Sequence, residues 1–266
     1  MHAVFALLLA LVAAHQRVVT LVPSFADDLY AIGGGADVVG VSSYTDAAGA
    51  RGVPRVADFV SIDAERIVAL RPDAVVGIPS QARLVLPLQR AGIRVVLLRD
   101  DAYADIFEDI RALGELTGRQ AQAAALVRRL QRETAQLQAR ARKLPRRPSV
   151  FVVLGVDPIW TAGSDSYIAT LIQLAGGRNA AAGFRGPYGE YSAEALVRDR
   201  PDAIVTDPAV GLGAVLTREP WRSLTAVREA HVYAVTPAAI LERPGPSYNE
   251  GIRWLLARLT PLAARP

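Results

Sequence analysis

Two stretches of this sequence repeat one another. Ala64, Glu65, Val68, Arg71, Pro72, Asp73, Ala74 and Val76 recur, at one constant offset, as Ala193, Glu194, Val197, Arg200, Pro201, Asp202, Ala203 and Val205. In each copy a helical segment meets an Arg-Pro-Asp-Ala turn and then a β-branched run, so one helix, turn and strand unit is used twice. A chain built this way folds as two similar halves rather than as a single bundle.

The rest of the chain fits that plan. Its 266 residues suffice for two cores of about 100 to 130 residues each. Hydrophobic residues make up 51% and charged residues 21%, so there is ample apolar surface to bury and no compositional argument for disorder. Short β-branched runs at 17–21, 38–41, 74–77 and 94–98 alternate with helical spacing at 27–32, 64–70 and 84–90, which is the pattern of parallel βαβ units. From Tyr103 to Leu116 the apolar residues fall on one helical face, and Gly118 is a stop signal. A second helical stretch, 119–143, carries Leu130, Leu137 and Leu144 on one stripe, too few for a coiled coil. Strands resume at 150–154, 203–205 and 232–235. The expected class is therefore α/β, with two Rossmann-like lobes joined by a single long helix and a ligand cleft between them. The expected divisions are a signal peptide at 1–16, an N-terminal lobe at 17–117, a linking helix at 118–147 and a C-terminal lobe at 148–266.

The signal-peptide expectation rests on Met1 to Ala14, an apolar run closing on the small residues Val12, Ala13 and Ala14. It is shorter than the roughly 20 apolar residues that span a bilayer. Cys count is 0, so the expected product is a soluble periplasmic protein with neither disulfides nor a lipid-accepting cysteine. The net charge of +4 does not imply nucleic acid. Its densest cluster, Arg140, Arg142, Lys143, Arg146 and Arg147, sits at the C-terminal end of the long helix, where cations complement the dipole, and no aromatic residues are interleaved for base stacking. His2 and His15 fall in or beside the leader, which leaves His231 and no thiol for a closed transition-metal site.

In parallel α/β sheets ligands sit beyond the carboxyl ends of the strands. Those exits place Tyr44 in the first half, with the loop around Phe59 close by, and Trp160 in the second, with Tyr188 in a Gly-rich and Pro-rich loop, so these four rings are expected to face one cleft and hold a large, flat, partly apolar ligand. Trp221, Tyr233 and Trp254 lie inside helical or strand patterns and are assigned to packing. Glu65 and Glu194 each occupy the first turn of a repeated helix. They stabilise that turn through its dipole, and as a matched pair they could also meet matched arginines of a symmetric partner.

The stretches RVVTLVPSFADDLYAIGGGADVVGVSSYTD, SIDAERIVALRPDAVV, the long helix after GELTG, and EALVRDRPDAIV carry a resemblance. The chain resembles, from Arg17 to about Leu259, the cobalamin-type branch of the periplasmic binding proteins with a rigid helical hinge, which also bind haem and iron siderophores. The resemblance implies capture of vitamin B12 or a related corrinoid, without catalysis and without a resident cofactor. It implies delivery to an inner-membrane ABC permease dimer with its ATPase, which grips one glutamate on each lobe, here Glu65 and Glu194. Tyr44 matches a pocket tyrosine and Arg243 an arginine. Phe59 and Tyr188 replace tryptophans, and Trp160 replaces a phenylalanine. Ile78 stands where a further tryptophan can occur, and near Ala239 an acidic residue is missing.

The near alternatives are haem, for which Tyr44 or Tyr188 could serve as axial ligand, and a ferric siderophore. The alternative of another class is an enzyme on a doubly wound fold. Gly33 to Gly35, however, follow a helix and precede a strand, the reverse of a dinucleotide loop, and His231 has no nucleophile partner. A signalling rather than transporting role shares every feature named. A monomer is expected.

Overall fold

A computed structural model of the chain describes residues 16–264. All but the last residue of the expected leader, 1–16, lies outside the described residues. Among those residues no helix is long and apolar enough to cross a membrane.

The first half holds β1 (Val18–Thr20), α1 (Pro23–Ala31), β2 (Val38–Ser42), β3 (Arg55–Ala57), α2 (Ala64–Ala69), β4 (Ala74–Gly77), α3 (Leu86–Arg90) and β5 (Arg94–Leu97). Its five strands are parallel in the order β3-β2-β1-β4-β5. Val18 and Val19 of β1 and Val75 and Val76 of β4 are wholly buried, because helices cover both faces of a parallel sheet and its inner strands must be apolar throughout. The chain leaves β1 for β2 on one side and returns to β4 on the other, which opens a crevice at the carboxyl end of β1.

Two helices follow, α4 (Asp105–Leu116) and α5 (Gln120–Ala141). Gly118, at φ +69°, supplies the left-handed turn between them. Gly114 permits their close approach, since a Cβ there would stand 2.5 Å from that of Ala123. The 22 residues of α5 make a rod of about 33 Å. Its inner stripe includes Leu126, Leu130 and Leu137.

The second half runs β6 (Ser149–Val153), β7 (Gly155–Val156), β8 (Ile159–Ala162), α6 (Tyr167–Leu174), β9 (Arg178–Asn179), β10 (Tyr188–Glu190), α7 (Ala193–Asp199), β11 (Ala203–Thr206), α8 (Thr225–Arg228), β12 (Val232–Ala234), α9 (Ala239–Glu242) and α10 (Tyr248–Ala263). Four parallel strands are ordered β12-β11-β6-β9, and β10-β8-β7 form a separate antiparallel sheet.

The repeated segments adopt one geometry. Asp63 caps α2 by accepting from the Arg66 N–H, and Ser192 caps α7 by accepting from the Ala195 N–H. Arg71 and Arg200 both take positive φ, +46° and +43°, which reverses the chain ahead of each proline. The following aspartate then reaches the first strand of its own half. Asp73 accepts from the Arg17 N–H at 2.8 Å, and Asp202 from the Ser149 N–H at 2.6 Å. Each carboxylate thus satisfies a donor at the entrance of the strand that pairs with its own, β1 with β4 and β6 with β11.

One apolar core runs through both halves on the side of α4, α5 and α10, joining Val18 and Phe25 to Leu130, Ile172 and Leu255. A polar cluster pins it where α5 meets α10. The Thr134 and Tyr248 hydroxyls lie 2.6 Å apart, Asn249 donates to the Leu130 carbonyl at 2.9 Å, and the Tyr103 ring stands edge-on to Tyr248 at 5.2 Å. Trp221 is buried, and Arg258 lies over the Trp254 ring at 3.8 Å, so these rings serve packing.

Candidate functional site

Every strand of the first sheet ends at one cavity of about 590 Å³. Val22 to Ser24 follow β1, Tyr44 and Asp46 follow β2, Phe59 follows β3, Ile78 follows β4, and Asp100 and Asp101 follow β5. The opposite wall comes from the second half. It is made of Tyr188 on β10, Asp207 after β11, and the segment after β12 that contains Ala239, Glu242 and Arg243. The volume falls in the range of small-molecule pockets, about 300 to 1,000 Å³.

Three of the four expected rings line it. Tyr44 and Phe59 stack with centroids 4.9 Å apart and planes at 20°. Tyr188 faces them from the other half. All three are substantially exposed, at 55%, 56% and 40%. That is unusual for aromatic residues and leaves apolar area for a ligand to cover, worth about 1.5 to 3 kcal/mol per ring fully buried.

Trp160 does not line the cavity. It lies on β8, where pairing of Tyr188 with Ala162 puts Trp160 on the same sheet face as Tyr188 but two residues along the strand. There it is 41% exposed, at the outer margin of the ring-bearing face.

Arg243 comes to the cavity already engaged. Its guanidinium donates to Asp27 and to Asp46 at 2.8 Å each, and lies 3.5 Å from the Tyr44 carbonyl. It therefore ties the second half to the first. The two carboxyls respond differently. At Asp27 burial outweighs the arginine and raises the pKa, whereas at the more exposed Asp46 the arginine hydrogen bond prevails and lowers it.

The remaining polar wall is acidic. Burial pushes Asp100 up to about 7, although the Ser24 hydroxyl donates to it at 2.7 Å. Burial also raises Glu242 to about 7, with Asp207 adding to the effect, and Tyr188 to about 12. Glu242 lies on the same short helix as Ala239, near which the resemblance implies an acidic residue, and brings a carboxyl to the wall there. Asp46, Asp100, Asp101 and Glu242 escape the sequence reading. All four lie in segments that follow a strand, Asp46 after β2, Asp100 and Asp101 after β5 and Glu242 after β12, so the rule that located Tyr44 applies to them as well.

Glu65 and Glu194 lie away from the cavity, exposed in the first turns of α2 and α7. Neither has a hydrogen bond or ion pair to a neighbouring side chain among the described residues.

Comparison with known proteins gives a consistent result. The model of a family described as periplasmic binding protein matches residues 18–239. An uncharacterized ABC transporter substrate-binding lipoprotein of Bacillus subtilis is 31% identical over 255 residues, covering 92% of this chain and 80% of its own. A vitamin B12-binding protein of Salmonella typhimurium is 33% identical over 217 residues, covering 79% and 80%. Among solved structures, a periplasmic heme-binding protein from Roseiflexus superposes with a TM-score of 0.84 at 23% identity, covering 93% of this chain and 99% of that one. At that identity the likeness is one of fold.

Proposed function

The chain belongs to the periplasmic binding protein family, and from that premise we propose that it captures a corrinoid between its halves and hands it, chemically unchanged, to an ABC permease. The observation that carries this reading is the pair of stacked, exposed rings, Tyr44 and Phe59, set across the cavity from Tyr188. Rings on both walls suit a broad, flat macrocycle that each half can contact on one side. Relatives described as vitamin B12-binding support the corrinoid, while Tyr44 and Tyr188, two tyrosines on the cavity walls that could serve as axial ligands, keep haem as the second reading.

In this reading Tyr44, Phe59 and Tyr188 supply contact area. Trp160 extends the ring-bearing face for the part of a ligand that projects from the cavity, and Arg243 holds the wall in place. Glu65 and Glu194 form the proposed docking points for the permease, and the protein works as a monomer on the outer side of the cytoplasmic membrane.

Calorimetric titration of the purified protein with cyanocobalamin, cobinamide, haemin and a ferric siderophore tests the proposal. A corrinoid is expected to bind with micromolar or tighter affinity, which requires about 8 kcal/mol. Tyr44→Ala and Tyr188→Ala should each weaken it about tenfold to a hundredfold, on the order of 1.4 to 2.8 kcal/mol. Unchanged affinity in both variants would remove the ligand from this cavity.

A further inference from the structure

We infer that the cavity selects its ligand by charge, admitting chelates that present N–H donors or a positive charge and rejecting those that present carboxylates. This rests on the reading of the cavity as the capture site.

The walls bring Asp46, Asp100, Asp101, Asp207 and Glu242 around one space. Among the described residues the only lysine or arginine on those walls is Arg243, and its guanidinium is already bonded to Asp27 and Asp46. The chain as a whole carries a net charge of +4, so the acidity of this cavity is local rather than a reflection of composition. Among the described residues no three carboxyl or imidazole groups are gathered closely enough to hold a bare metal ion. The acids are instead spread around the walls, from Asp46 and Asp100 on one half to Asp207 and Glu242 on the other.

A carboxylate is an acceptor-only group when ionised, so walls of this kind match a ligand rimmed with donors. A corrin ring edged with carboxamides is such a ligand, its amide N–H groups directed outward. A porphyrin edged with propionates is not, because each propionate would meet like charges in a space of restricted solvent access with no unengaged cation to receive it. With pKa values of about 7, Asp100 and Glu242 are mainly ionised only above neutrality, so the comparison is made at pH 8, where both present charge to an incoming anion.

The test compares ligands that share a macrocycle and differ in charge. Dicyanocobinamide and dicyanocobyrinic acid have the same ring, but the acid carries carboxylates where cobinamide carries amides; haemin is the third probe. Titrations are run on the full chain and on the double variant Asp101→Asn with Glu242→Gln. Cobinamide is expected to bind about a hundredfold more tightly than cobyrinic acid at low ionic strength, since like-charge juxtaposition at an interface is strongly unfavourable. The gap should shrink as salt is raised, and about tenfold in the double variant. Cobyrinic acid or haemin binding as tightly as cobinamide, in a manner lost in Tyr44→Ala, would overturn charge selection while leaving chelate capture standing. So would a gap that the double variant leaves unchanged. If no chelate of either charge binds, the capture role itself falls and charge selection with it.

Discussion

Three carboxyls in the first half and at the cavity are held as acids near neutrality: Asp100 at about 7, Asp109 at about 8 and Glu242 at about 7, with burial the leading cause at each. Asp28, buried on α1, is also raised well above the ordinary carboxylate value, with Asp109 and Asp100 contributing after burial. The folded chain therefore binds more protons than the unfolded chain between the ordinary carboxylate pKa of about 4 and these raised values. The free energy of unfolding must fall as pH rises through that window. Urea denaturation of the ligand-free protein at pH 5 and pH 8 is expected to show the greater stability at pH 5, and Asp109→Asn should flatten the dependence. Ligand affinity should run the opposite way. If the ligand offers donors to ionised Asp100 and Glu242, binding expels protons and strengthens from pH 6 to pH 8.

At the scale of the element, the duplicated unit shows how one solution is written twice. A side-chain cap, a left-handed arginine ahead of proline, and an aspartate that bonds the neighbouring strand recur in α2–β4 and α7–β11. The same geometry presents Glu65 and Glu194 in equivalent first turns, with neither glutamate spent inside the protein. Replacing both by lysine is expected to leave ligand affinity unchanged and to abolish uptake in cells that depend on this carrier; normal uptake would return them to stabilising their helices, a contribution of about 0.3 to 1 kcal/mol each.

These units were legible because they pack mainly against their own sheet, so pattern and structure agree. Other elements were less so. The helix expected from Asp27 begins at Pro23, a start that proline at the first helical position could have signalled. β3 and the antiparallel strands β7, β8 and β10 span only two to four residues each, too short for any periodicity to register. At the site, Tyr44 could be read from a strand exit, whereas Phe59 and Tyr188 could be reached only as rings in nearby loops, because the strands beside them, β3 and β10, were not legible. The engagement of Arg243 could not be read, because Asp27 and Asp46 meet it only across the fold, from more than 190 residues away in sequence.

For the whole molecule, the decisive feature is the core that passes from one half to the other along α4, α5 and α10. The two parallel sheets are separate, yet the helices behind them are not, and the contacts of Thr134, Tyr248 and Asn249 fix their crossing. Domain closure through hinges requires a few residues that absorb large backbone changes, and a continuous α5 offers none along its length. Small-angle scattering with and without ligand is therefore expected to give nearly the same radius of gyration, whereas a marked compaction would require α5 to break or α10 to detach.

A carrier built on such a spine would show almost the same outline whether laden or vacant. Its permease would then have little global shape change by which to distinguish the two, and unladen copies would contend for the same berth. Import would depend on the proportion of copies carrying cargo as well as on their number, and overproducing the protein when cargo is scarce would slow delivery.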